Sequence, residues 1–132
     1  MSNVRYNGPM EKGQKYILVA DDERPMARAL ELKLAHEGFK AKAVFDGTEV
    51  LESLRHEKFD LLLLDLVMPT VDGFQVLESM KSEGILVPVI VLSNLSQQED
   101  EKRVKELGAR EFFIKSDTPI TDVIHHVKKV LG

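Results

Sequence analysis

Asp65 ends an apolar run, Phe59-Asp60-Leu61-Leu62-Leu63-Leu64, and is followed at once by Leu66-Val67-Met68-Pro69. A run of that length closed by a proline turn reads as a strand buried on both faces. The carboxylate then stands where a parallel strand gives way to a loop, which is where open α/β sheets bind their ligands. Tyr16-Ile17-Leu18-Val19-Ala20 stops in the same way at Asp21-Asp22, and Phe112-Phe113-Ile114 stops at Lys115. Val87-Pro88-Val89-Ile90-Val91-Leu92 stops at the hydroxyl of Ser93. Three carboxylates, a hydroxyl and an ammonium are thus predicted to share one rim. Two carboxylates 4 Å apart repel by about 1 kcal/mol in water and about 4 at an effective dielectric of 20. A fold tolerates three only if a cation fills the gap or one group keeps its proton. An all-oxygen site with room for water suits Mg²⁺.

The elements that must position these groups are legible. From Tyr16 onward strand-like and helix-like segments alternate five times, which predicts a parallel sheet with helices on both faces. The first helix starts near Pro25, carries Ala27, Leu30 and Leu34 at helical spacing, and stops at Gly38. The second follows Asp46-Gly47-Thr48 and buries Val50, Leu51 and Leu54. The third runs from about Gly73 to Gly84 with Phe74, Leu77 and Met80 inward. Ser96-Gln97-Gln98-Glu99 has the pattern of a capping box and predicts the start of the fourth helix, which Gly108 closes. Pro119 opens the fifth, with the stripe Ile120, Val123, Ile124, Val127, Val130 and Leu131. Phe39-Lys40-Ala41-Lys42-Ala43-Val44 alternates polar and apolar residues, as a half-exposed edge strand does. The fold class expected is a three-layer (βα)5 flavodoxin-like α/β fold with strand order 2-1-3-4-5, which makes strands one and three neighbours at the switch point.

Composition narrows the function classes. The chain has 132 residues, enough for one domain burying roughly two thirds of its unfolded surface. Residues 1–14, with Gly8-Pro9 among them, show no periodicity and read as a flexible lead-in; residues 15–132 form the domain. There is no cysteine, so disulfides and thiolate metal sites are excluded. No apolar run approaches the ~20 residues of a membrane span, and no signal-peptide core is present, so a cytoplasmic protein without membrane insertion is expected. A net charge of −4 argues against direct binding of nucleic acid.

The Asp21-Asp22 pair, Asp65 within Asp-Leu-Val-Met-Pro-Thr-Val-Asp-Gly, Ser93 and Lys115, in this order at successive strand ends, resemble the receiver domain of two-component response regulators. The resemblance covers roughly residues 15–132 and is closest to single-domain, chemotaxis-regulator-like forms. It implies that Asp65 accepts a phosphoryl group from a phosphohistidine on a sensor histidine kinase or histidine phosphotransfer protein, or from a small phosphodonor. It implies that Asp22, Asp65 and the Val67 carbonyl ligate Mg²⁺, with Asp21 acting through water. Mg²⁺, Lys115 and Ser93 would each stabilise one phosphoryl oxygen, because catalysis of this reaction is mostly positioning and charge stabilisation. It further implies a switch in which Ser93 moves toward the phosphoryl group and Phe112 rotates inward behind it. The face formed by helix four, strand five and helix five would then bind a downstream protein target of unknown identity. Such a chain catalyses its own phosphorylation and dephosphorylation but acts as a signalling switch rather than a conventional enzyme.

Taken singly, these residues have plainer readings: Asp-Asp as a helix cap, Ser93 as a turn hydroxyl, Phe112 as core, and the charged fourth helix as a solvated face. His36, His56, His125 and His126 are expected on the surface without a role, and Lys33, Lys40, Lys42 and Lys58 as solubilising charges. The chain departs from the family at three places near the site. Ser116 follows Lys115 where a cis-proline is usual, Asn94 follows Ser93 where alanine is frequent, and Phe112 replaces a tyrosine or histidine. Val67 offers no side chain to orient a hydrolytic water, which predicts a long-lived phosphorylated state. The fifth helix is expected to end the chain with no effector attached. The alternatives are a phosphorylation-independent pseudo-receiver adaptor and a receiver fragment of a larger transcriptional regulator. A flavin carrier is disfavoured because Asp21-Asp22-Glu23 would repel its phosphate. A haloacid-dehalogenase-type phosphatase needs an Asp-x-Asp spacing that Asp21-Asp22 lacks.

Overall fold

The computed structural model describes residues 13–132. Most of the lead-in expected over residues 1–14 lies outside the described residues. The chain alternates strictly: β1 (Tyr16–Ala20), α1 (Arg24–His36), β2 (Lys40–Val44), α2 (Gly47–His56), β3 (Leu61–Leu64), α3 (Gly73–Glu83), β4 (Val89–Ser93), α4 (Gln98–Glu106), β5 (Glu111–Ile114) and α5 (Ile120–Leu131). A single 3₁₀ turn, Lys115–Asp117, joins β5 to α5. All strand pairs are parallel, in the order β2-β1-β3-β4-β5. This is the flavodoxin-like order expected.

Strand alternation divides the core into two layers. Leu18, Ala20, Leu62 and Leu64 face a cluster built with Val50, Leu51, Phe74, Leu77, Met80 and Val104 of α2, α3 and α4. Ile17, Val19, Leu61 and Leu63 face the other way, onto Ala27, Leu30, Leu34, Val123, Ile124 and Val127 of α1 and α5. Apolar residues on both faces are what a central parallel strand requires. β2 is one of the two edge strands and is only partly buried over most of its length.

Several local expectations change. The capping box predicted at Ser96 does not form: α4 begins at Gln98, its N-cap is Gln97, and no side chain caps it. Ser96 stands one residue too early to reach the third helical N–H, and the acidic first turn of Glu99, Asp100 and Glu101 complements the helix dipole instead. A complete capping box occurs instead at Asp72 and Gln75 in α3. Lys42 pairs with Glu57, and Lys40 lies 4.9 Å from the Tyr16 ring centroid, so neither is a merely solubilising charge. His126 is half-buried and stacks on Phe113 with ring centroids 4.2 Å apart, because its position on α5 faces the edge strand β5.

Candidate functional site

Asp65 is fixed through its backbone. Its backbone N–H donates to Ala20 O at 2.9 Å, continuing the β1–β3 ladder past the last strand residue. The chain then turns so tightly that α3 must begin at a glycine: a Cβ on Gly73 would lie 2.6 Å from Asp65 O and 2.7 Å from Leu66 Cα. Thr70, in the same loop, takes φ +64°, a left-handed conformation uncommon for a β-branched residue. Its hydroxyl lies 3.2 Å from that of Thr48 at the start of α2.

Asp21 is the continuation of β1, and its N–H donates to Val44 O at 3.1 Å. Because β1 and β3 are adjacent, Asp21 and Asp65 become neighbours, only 3 % and 5 % exposed. Asp22 is exposed beside them. One oxygen from each of Asp21, Asp22 and Asp65 falls within 4.8 Å of the others. The sequence placed these three together, and the fold brings them together. An all-oxygen, partly solvated donor set fits a hard divalent cation.

Lys115 reaches this cluster from β5, across the end of β4. Its Nζ lies 2.9 Å from Asp21 Oδ2, 2.9 Å from Asp65 Oδ2 and 2.6 Å from Glu23 Oε1. Burial alone would lower the Lys115 pKa, but the hydrogen bonds to Glu23, Asp21 and Asp65 outweigh it and hold the ammonium above its ordinary value. Burial pushes the Asp21 carboxyl up, and its share of one ammonium does not cancel that effect. The site therefore carries more buried negative charge than Lys115 relieves.

Glu23 was missed as a partner of Lys115. It was legible only as the third acid of Asp21-Asp22-Glu23. Asp21 Oδ1 accepts the Glu23 N–H at 2.9 Å, which turns the chain into α1 and leaves the Glu23 side chain on the rim.

Ser93 is the last residue of β4 rather than the first beyond it, and is fully buried. Its hydroxyl accepts a long bond of 3.4 Å from the Leu95 N–H. Val67 is 55 % exposed beside the cluster, and its N–H donates to Asp65 Oδ1 at 3.2 Å. Phe112 is partly buried against the α2–α4 layer. The Lys115–Ser116 bond is trans, and no cis peptide occurs among the described residues. Ser116 thus keeps an N–H that a proline would lack, and Asn94 Oδ1 accepts it at 2.9 Å.

The family model for the response regulator receiver domain matches residues 17–127, which takes in all of these groups. The chain belongs to that family. This receiver domain is 32 % identical over 117 residues to the alkaline phosphatase synthesis transcriptional regulatory protein PhoP of Bacillus subtilis, a match covering 89 % of the chain and 48 % of the relative. It is 38 % identical over 103 residues to the probable transcriptional regulator ycf27 of Porphyridium aerugineum, covering 78 % of the chain and 42 % of the relative. The chain spans just under half the length of these relatives. Among solved structures, the receiver domain of the Francisella response regulator 1452 superposes with a TM-score of 0.84 at 28 % identity, covering 89 % of this chain and 97 % of that one. The receiver domain of a signal transduction histidine kinase from Syntrophus aciditrophicus gives a TM-score of 0.79 at 30 % identity, with 89 % of each chain covered. The protein is a receiver domain of two-component signalling. No described helix is long and apolar enough to cross a membrane.

Proposed function

We propose that this receiver domain accepts a phosphoryl group on Asp65 and is switched by it. The observation that carries the reading is the meeting of Asp21, Asp22 and Asp65 within 4.8 Å at the end of the sheet, with the Lys115 ammonium 2.9 Å from the acceptor. Asp65 Oδ attacks the phosphorus of a phosphohistidine on a histidine kinase or histidine phosphotransfer protein. A P–O bond forms as the P–N bond breaks, and the electron pair leaves with the imidazole. Asp22, Asp65 and the Val67 carbonyl would hold Mg²⁺, with Asp21 acting through water, and the ion would supply neutralisation of charge on the phosphoryl oxygens. Lys115 exchanges carboxylate partners for a phosphoryl oxygen, and the Ser93 hydroxyl binds another. Ser93 is buried, so its movement toward the phosphoryl group leaves space for Phe112 to follow. The altered face of α4, β5 and α5 then binds a protein target. The site's setting is the cytoplasm, where its kinase partners act.

Intact-mass spectrometry after incubation with Mg²⁺ and acetyl phosphate tests this, with Asp65→Asn alongside. One phosphoryl adduct in wild type, absent from the variant and from metal-free samples, is expected. No adduct under those conditions favours the pseudo-receiver adaptor. Val67 leaves the space beside Asp65 without a polar side chain, so Val67→Asn is expected to shorten the life of the adduct; an unchanged or longer life counts against that role.

A second reading concerns the whole protein. The relatives named above are transcriptional regulators about twice this chain's length, so the domain also fits as the receiver portion of a longer regulator. In that case nucleic acid is contacted by other parts of the protein.

A further inference from the structure

The β4–β5 ladder ends at the pair Ser93↔Ile114. Beyond it the two strands part into the loops that complete the rim. A side chain spans the gap: Asn94 Oδ1 accepts the Ser116 N–H at 2.9 Å. Lys115 therefore lies between two residues fastened to the β4 side, Ile114 through the ladder and Ser116 through Asn94. The Lys115 loop is also tied within itself, since the Thr118 hydroxyl donates to Ile114 O at 2.8 Å and its N–H to Lys115 O at 3.4 Å. Those two bonds fix the shape of the loop. The ladder holds the start of that shape to β4, and the Asn94 bond holds it past the ladder's end, on the far side of Lys115.

The distinction matters because Lys115 must cross the end of β4 to reach Asp65 of the β3 end and Asp21 of the β1 end. A four-carbon stem loses much of its rotamer freedom when held in one geometry. Anchoring the backbone on both sides of Lys115 removes the further freedom of a moving Cα. The chemistry of the anchor is also specific. A backbone N–H is met by an amide oxygen or a carboxylate on a short stem, but an aspartate here would add a carboxylate to an already acidic rim, and an alanine would offer nothing.

We propose that Asn94 is a positioning residue for Lys115, holding the lysine's loop to that of Ser93 and so placing the ammonium for phosphoryl transfer. The proposal rests on the reading of Asp65 as the acceptor.

The test compares wild type, Asn94→Ala, Ser116→Pro and the double variant. Three quantities are read: the rate of adduct formation with acetyl phosphate and Mg²⁺, Mg²⁺ affinity, and hydrogen exchange at the Ser116 amide where it exists. Asn94→Ala is expected to slow phosphorylation about fivefold and to speed Ser116 exchange by a similar factor. Mg²⁺ affinity is not lost, because carboxylates and not the lysine's loop hold the ion. In the Ser116→Pro background, where there is no N–H to accept, Asn94→Ala changes the rate by less than about 1.5-fold. Equal slowing in both backgrounds, a matching loss of Mg²⁺ affinity, or unchanged Ser116 exchange overturns the proposal. Should Ser116→Pro not fold, the exchange result and the split between rate and metal affinity decide it. Adduct formation at equal rates in wild type and Asn94→Ala sinks the positioning role alone. Its absence from all four proteins sinks the phosphorylation reading as well.

Discussion

The two flanks of the sheet are held in place by different means. On the flank of β3, α2 and α3, backbone meets backbone. A Cβ on Gly47 would lie 1.8 Å from Val71 O, and Gly73 is pressed against Asp65 in the same way. Both helices are capped by aspartates, Asp46 and Asp72, and every residue of β3 is buried. On the flank of α4 and β5, α4 buries only Val104 and has no side-chain cap, and every residue of β5 is partly exposed. Asp65 stands on the first flank, whereas Ser93 and Lys115 border the second. A switch needs a fixed acceptor and a displaceable reader, and low local stability follows from few buried contacts. Lys115 is the strap from one flank to the other, joining Asp21 and Asp65 to the end of β5.

The largest expected effect breaks the tight flank. Gly47→Ala forces a methyl into the Val71 carbonyl and should cost about 3 kcal/mol or more in denaturant unfolding. Gly108→Ala, at φ +105° but with open space around it, should cost only about 1 kcal/mol. Equal costs would erase the contrast between the flanks.

Cutting the strap comes next. Lys115→Met leaves Asp21 and Asp65 buried without their cation, and should cost about 2 kcal/mol in metal-free buffer at pH 7. Mg²⁺ should stabilise this variant more than wild type. The Asp21 pKa is already raised by burial above its usual 3.8, so its ionisation penalises the folded state fully above the folded pKa and not at all below 3.8. Loss of Lys115 raises that pKa further, so the variant's deficit should narrow as the pH falls from 7 toward 4. A deficit that widens on acidification would contradict this account.

Val104→Ala tests the looser flank. It should cost about 1.5 kcal/mol and accelerate amide exchange in α4 while leaving α3 protected. Uniform acceleration would mean that α4 is no less firmly held than α3.

The smallest effect lies on the opposite face, where Lys128 of α5 pairs with Glu37 at the end of α1. The hydrogen bond from Lys128 holds the Glu37 pKa below its usual 4.5. A lowered folded-state pKa gives stability that is present above 4.5 and lost as the pH falls through the folded value. Lys128→Ala should therefore lower the melting temperature slightly at pH 7 and leave it unchanged in strong acid. Because the pair is solvated, high salt should erase the difference too.

Much of the site could be read from residue order. Asp21, Asp22, Asp65 and Lys115 follow apolar runs long enough to identify as strands, and the strand order then made them neighbours. Glu23 was not legible as a partner of Lys115, because it lies past the strand end and its place on the rim is set by the turn in which Asp21 Oδ1 accepts its N–H. The capping pattern at Ser96 does not form a box whereas the one at Asp72 does, since a four-residue pattern fits more than one start and only packing selects the true one. His126 resembled the other surface histidines until the edge position of β5 gave its ring Phe113 to stack on.

Residue order alone set the strands, the helices between them and the kinds of group at each strand end. Hydrophobic periodicity and turn chemistry are local, and they act before any long-range contact forms. Asn94 and Ser116 looked from the sequence like two separate departures from a family pattern. Only the tertiary structure joined them in one hydrogen bond, set Glu23 on Lys115 and closed Gly47 and Gly73 against their neighbours' backbones. Such contacts depend on distances of a few tenths of an ångström between segments far apart in the chain, and those distances are fixed when the layers pack.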